Sequence, residues 1–185
     1  MKKFFVCFLC LVVLVLTGCA MGNTPTSKVE AFLDSYTSGN DTVLKQLKEM
    51  VDADAMMDDS QRTTYSDIMK KQYKDLTYDI KNEVIDGDNA TVTAEIEVYD
   101  YYRSNQDSQA YFESNRDQFK ENSTDNNSDN ISNSKFIDYR LSQLQNVTDR
   151  IKYTIDFTLK KSDDKWVLDD IDDATRQKIH GLFEH

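Results

Sequence analysis

Residues 76–98 read LTYDIKNEVIDGDNATVTAEIEV, and this stretch decides the fold. Leu76, Tyr78, Ile80 and Val84 alternate with Thr77, Asp79 and Lys81. After Asp86-Gly87-Asp88-Asn89, Ala90, Val92, Ala94, Ile96 and Val98 alternate with Thr91, Thr93, Glu95 and Glu97. A period of two places one set of side chains on one face of a strand. Asp86-Gly87 supplies the positive φ of a tight turn. The spacing predicts an antiparallel hairpin with one apolar face, its second strand running on toward Tyr102.

Such a face needs a covering layer. Upstream, Val29, Phe32, Leu33 and Tyr36 fall at i, i+3, i+4 and i+7, the stripe of an amphipathic helix. Thr26 or Ser27 is the expected cap, with Glu30 reaching back. Gly39-Asn40 ends that helix. Asp41 or Thr42 caps a second, which buries Val43, Leu44, Leu47 and Val51. Residues 52–59 form an acidic connection, and a third helix from near Ser60 presents Tyr65, Ile68, Met69 and Tyr73.

Downstream, residues 104–119 are weakly helical. Residues 121–134 are rich in Asn, Asp and Ser, with Ile131 as their one apolar residue, and read as a mobile polar loop. A helix with Phe136, Ile137, Leu141, Leu144 and Val147 follows. Ile151, Tyr153, Ile155, Phe157 and Leu159 then alternate with Lys152, Thr154, Asp156 and Thr158. Residues 162–165 turn the chain into Trp166, Val167 and Leu168, and a short helix covers about 173–182. The expected class is α+β, with N-terminal helices packed on a curved, mainly antiparallel sheet.

The first residues follow another logic. Lys2 and Lys3 precede an unbroken apolar run from Phe4 to Leu16, 13 residues long, which suits a signal-peptide core and is short for a transmembrane helix. Leu16-Thr17-Gly18-Cys19 resembles a bacterial lipobox. Small residues at Thr17 and Gly18 admit a peptidase, and the Cys19 thiol can carry a diacylglycerol, whose two chains hold far better than one. Residues 1–18 are thus the expected signal peptide, Cys19 the lipidation site, 19–27 a short tether, and 28–185 one domain. Cys7 and Cys10 form a C-x-x-C that cleavage would remove. The mature chain would hold 167 residues and one lipidated cysteine, so packing alone must stabilise it.

The net charge is −11, and −13 without residues 1–18. This excludes a nucleic-acid partner, which requires basic patches, and repels anionic headgroups, so the body stands off the membrane. The expected partners are the membrane, through lipid on Cys19, and a protein of the cell envelope.

Residues 28–33 (KVEAFL), 65–73 (YSDIMKKQY), 86–101 (DGDNATVTAEIEVYDY), 153–159 (YTIDFTL) and 164–168 (DKWVL) together resemble the nuclear transport factor 2-like (cystatin-like) cone. They are also similar to lipoproteins of low-GC Gram-positive bacteria. The resemblance implies a cone with a pocket between sheet and helices. Some members bind small ligands there, others hold catalytic residues, and others use the surface to dimerise. No catalytic set maps onto this chain, and fold alone does not carry function.

The candidate chemistry is sparse. Asp125, Asn127 and Asp129 open like an EF-hand, but Asn130 replaces the glycine and Phe136 the bidentate glutamate, so no metal is expected. No cofactor motif is present. His180 precedes Gly181 near a helix C-terminus, where a cation is favoured; His185, the last residue, is expected to fray. No G-x-S-x-G supports a serine nucleophile. Tyr78, Tyr99, Tyr101, Tyr153 and Trp166 are candidates for a ligand pocket or partner surface, although alternating aromatics more often serve the core. The expectation is a non-enzymatic binding or accessory module. The enzymatic alternative needs a buried acid beside an apolar cavity.

Overall fold

The computed structural model describes residues 22–121 and 131–185. The expected signal peptide, Cys19 and the Asp125, Asn127, Asp129 series lie outside the described residues. The order is α1 (Pro25–Thr37), α2 (Asp41–Asp52), α3 (Asp59–Asp75), β1 (Thr77–Asp86), β2 (Asn89–Tyr99), α4 (Tyr101–Ser114), α5 (Asn133–Gln145), β3 (Arg150–Ser162), β4 (Lys165–Leu168) and α6 (Asp173–His180). A 3-10 turn, Arg116–Phe119, lies between α4 and α5. The strands form one antiparallel sheet in the order β1-β2-β3-β4. This is the expected α+β class.

The register explains the single core. Val92 faces Phe157, Ala94 faces Ile155 and Ile96 faces Tyr153, all with buried side chains. Val29 and Leu33 of α1, Met69 and Tyr73 of α3, and Ile179 of α6 belong to the same buried cluster. Burying each large aliphatic side chain contributes roughly 1.5–3 kcal/mol. The opposite sheet face is charged and wet, where Lys152 lies 3.0 Å from Glu95 and Arg150 lies 3.1 Å from Glu97.

Local chemistry shifts several expected boundaries. α1 begins at Pro25, whose fixed φ suits a first helical turn. Thr24, not Thr26 or Ser27, is the cap, in a reciprocal pair with Ser27. Asn23 donates to the Asp164 carbonyl at 2.9 Å and accepts from the Trp166 N–H at 3.1 Å. The ordered body therefore includes residues 23–27, assigned from sequence to the tether. β2 stops at Tyr99, short of Tyr102, because Asp100 caps α4 by accepting from Arg103 N–H at 3.0 Å. Val84 does not continue the inward alternation. The register of β1 slips between Ile80 and Asn82, and beyond it Val84 and Ile85 are 54% and 52% exposed.

The described residues on the two sides of 122–130 are paired with each other. Lys120 pairs with Ile131 in an antiparallel bridge, and Ser132 N–H donates to the Phe119 carbonyl at 2.7 Å. Tyr111, Phe112, Phe119, Phe136 and Tyr139 form an aromatic cluster with ring separations from 4.6 to 6.3 Å.

Candidate functional site

Helix periodicity builds a second aromatic group at the other side of the helical layer. Phe32 and Tyr36 are one turn apart on α1, as are Arg176 and His180 on α6, while Val43, Leu47 and Met50 share a face of α2. With Tyr73 from the last turn of α3, Leu168 at the end of β4 and residues 169–171 beyond it, they line an open cavity of about 680 Å³. That volume falls in the range of small-molecule sites. The rings meet edge to face, Phe32 to Tyr36 at 5.4 Å and Tyr36 to Tyr73 at 5.1 Å.

The polar groups at the inner end are three. Tyr73 Oη and His180 Nε2 are hydrogen-bonded at 3.0 Å. Burial, helped by the charge of Arg176, pushes His180 down to about 4, so the imidazole is neutral at physiological pH. Burial raises the Tyr73 and Tyr36 phenols, which stay protonated. Tyr36 is only 5% exposed, yet its hydroxyl has no hydrogen-bond partner among the described residues. That hydroxyl borders the cavity and is open to a water or a ligand atom.

The acids lie outward: Glu49 and Asp170 are exposed and Asp169 is half-buried. The enzymatic alternative required a buried acid, whereas the buried titratable groups lining the cavity are His180, Tyr36 and Tyr73. The lining also holds no serine, threonine, cysteine or lysine. The arrangement is chemically suited to aromatic contact and hydrogen bonding.

None of the five aromatic residues singled out from the sequence lines this cavity. Tyr78 sits on edge strand β1 and donates to Asp34 at 2.7 Å. Tyr99 and Tyr101 stack at 5.9 Å; Tyr99 donates to Asp75 at 2.8 Å, with Lys71 and Arg150 against its ring. Tyr153 donates to the Phe183 carbonyl at 2.8 Å, and Trp166 is buried in the core. Among the five, only the Tyr99 and Tyr101 rings meet. His185 is not frayed: its Nε2 lies 3.3 Å from Asp100 and its ring 5.5 Å from that of Tyr102. Sequence reasoning placed Tyr36 and Tyr73 on core-facing stripes; nothing in those stripes signals that a cavity adjoins them.

Among the described residues, no helix is long and apolar enough to cross a membrane, and no group of three or more His, Cys, Asp or Glu is placed to hold a metal ion.

No family model matches the chain, and no curated protein matches it. Among solved structures, it is similar to ycdA of Bacillus subtilis, a protein provisionally described as a lipoprotein. The identity is 16% and the TM-score 0.42, over 85% of this chain and 47% of that one. This chain thus spans about half the length of that protein. A likeness of this size carries no functional argument, and the fold stands on the elements described above.

Proposed function

We propose that the protein is a non-enzymatic ligand-binding module, anchored by lipid on Cys19 at the extracytoplasmic face of a cell membrane. The observation that carries the binding reading is the cavity itself: a lining of apolar and polar side chains, aromatic edges and a Tyr36 hydroxyl with no hydrogen-bond partner among the described residues. The anchor reading is supported by the basic start, the apolar run to Leu16 and the lipobox-like residues 16–19. The resemblance of residues 28–33, 65–73, 86–101, 153–159 and 164–168 to the nuclear transport factor 2-like cone accords with it, since some members of that family bind small ligands between sheet and helices. A protein of the cell envelope is the partner to which the bound ligand would be presented.

One purification tests both parts. The full chain and a Cys19→Ala variant are isolated from envelope and soluble fractions and examined by native mass spectrometry. The expected result is a diacylated chain in the envelope fraction carrying a small molecule that a Tyr36→Trp substitution, which places a larger ring at the cavity wall, displaces. An unacylated chain contradicts the anchor. Failure of a panel of apolar small molecules to bind the wild type and not Tyr36→Trp contradicts the module.

A further inference from the structure

The start of α1 is fastened to one end of the sheet. Asn23 holds the β3–β4 turn through the Asp164 carbonyl and the Trp166 N–H. Thr26 donates to Glu83 of β1 from its backbone N–H at 2.9 Å and from its hydroxyl at 2.7 Å. The two hairpin ends are also joined to each other, Lys161 N–H donating to the Asp88 carbonyl at 2.8 Å. From there α1 runs away along β1, since Asp34, two turns on, accepts from Tyr78 near the other end of that strand. The described chain therefore begins at the hairpin ends. Phe32 and Tyr36 of the cavity stand about 9–15 Å farther along α1 than Thr26, at 1.5 Å per residue.

The hairpin ends carry apolar side chains into solvent. Val84, Ile85 and Val167 are each more than half exposed there, next to the residues that Thr26 and Asn23 hold. Exposed apolar side chains on edge strands invite contact unless something covers them. Successive residues point to opposite faces of a strand, so Val84 and Ile85 form a rim at the end of the sheet. Little of the net charge lies at this end. Residues 81–90 and 158–168 hold four lysines and five acids, so the hairpin ends contribute −1 of the −13 left without residues 1–18. Most of the acids that would hold the body off an anionic surface lie elsewhere.

We propose that the ends of the β1–β2 and β3–β4 hairpins are the membrane-facing surface of the protein, resting on the lipid bilayer through Val84, Ile85 and Val167 while α1 holds the cavity above the headgroups. This rests on the anchor reading above and adds the face that meets the membrane. The occupant follows from where the described chain begins. Four residue steps separate Cys19 from Asn23, and they span at most about 14 Å. With the acyl chains of Cys19 in the bilayer, Asn23 and the hairpin ends that it clamps stay within that reach of the lipid. Residues 23–27 belong to the ordered body, so they add nothing to the tether. At the interface the valine and isoleucine side chains leave water, and the exposed Lys160 and Lys165 are long enough to keep their charges in it.

The test uses the full chain in phosphatidylcholine nanodiscs, with mass spectrometry first establishing the diacyl group. Without residues 1–18, Cys19 is the one remaining cysteine and lipid blocks its thiol, so an introduced cysteine alone takes a nitrobenzoxadiazole dye. The dye is placed by Val84→Cys and Val167→Cys at the hairpin ends, and by Gln109→Cys on α4, which follows the opposite end of β2. All three positions are exposed, and circular dichroism checks the fold. Phosphatidylcholine with a spin label on its headgroup is the quencher. The expected result is a blue-shifted dye that loses most of its emission at 84 and 167, and an unshifted, unquenched dye at 109. Broadening of backbone amides by the same lipid in the unsubstituted chain reads the same contrast without a variant. Quenching at 109 that equals or exceeds that at 84 and 167, or water-like emission at either hairpin position, overturns the proposal and leaves the anchor standing. A chain without acyl groups overturns both.

Discussion

The molecule holds two aromatic groups of similar composition and opposite character. Between α4 and α5, Phe112, Phe119, Phe136, Tyr111 and Tyr139 pack ring on ring, and the Tyr111 hydroxyl donates to Gln118 at 2.9 Å. Around the cavity, Phe32, Tyr36, Tyr73 and His180 also meet ring to ring, but they border open volume and the Tyr36 hydroxyl has no partner among the described residues. The difference lies in what adjoins the rings. The first group is closed by its own neighbours, and the second faces open volume. Aromatic content alone would not distinguish a staple from a site.

Substitution should separate the two. Phe119→Ala removes a buried ring from the closed group and should cost about 3–5 kcal/mol. Urea unfolding measures the loss, and probe binding at the cavity should be unchanged below the transition. Coupled loss of binding would show the two groups to be one unit.

The cavity group should be distinguished by pH. His180 is lowered to about 4 in the folded chain, against an ordinary value near 6.5 unfolded. A depressed histidine binds its proton more readily when unfolded. Stability is therefore lost as pH falls from about 6.5 to about 4, by roughly 3 kcal/mol, and is constant again outside that window. Because carboxylates titrate at the lower end, the quantity to measure is the wild-type curve minus that of His180→Gln. A flat difference would mean that the ring is hydrated in solution.

α6 is fixed to the sheet at Gly181, which has φ of +69°. A Cβ there would lie 2.1 Å from the Tyr99 carbonyl oxygen and 2.7 Å from Gln72 Nε2. Gln72 is fully buried and accepts from Tyr99 N–H at 2.9 Å, so neither neighbour is free to give way. Gly181→Ala should cost at least about 2 kcal/mol by thermal unfolding, and should weaken binding because His180 precedes it.

The smallest effect is the sharpest comparison within the cavity. Tyr73→Phe removes a hydroxyl bonded to His180 and should cost about 1 kcal/mol or more. Tyr36→Phe removes a hydroxyl with no partner and should be neutral to within about 0.5 kcal/mol. Equal costs would mean that Tyr36 Oη is paired in solution.

Much of this fold is legible in the sequence, for a physical reason. The alternation in residues 76–98 and 150–160 states which side chains face inward, and Gly87 and the Asp163-Asp164 pair, all at positive φ, state where the hairpins turn. The helix stripes of Val29, Leu33, Ile68 and Met69 are likewise core. What periodicity does not encode is distance between elements. Tyr36 and Leu33 lie on the same stripe, one packed and one beside a void. Strand aromatics such as Tyr99 and Tyr153 drew attention by their spacing, yet their hydroxyls serve Asp75 and the Phe183 carbonyl. Caps shifted for a simpler reason: several Ser, Thr, Asp and Asn residues compete at each helix start, and Thr24, Asn40, Asp58 and Asp100 won by tertiary placement.

The most direct test of the central claim is chemical-shift mapping of the full chain in nanodiscs during titration with 4-phenylbutanol, a neutral probe that depends on the cavity alone. The account predicts saturable shifts at Phe32, Tyr36, Leu47 and His180, and none at Phe112, Phe119 or Phe136. Shifts confined to the second set, or no saturable shift at Tyr36 and His180, would contradict it.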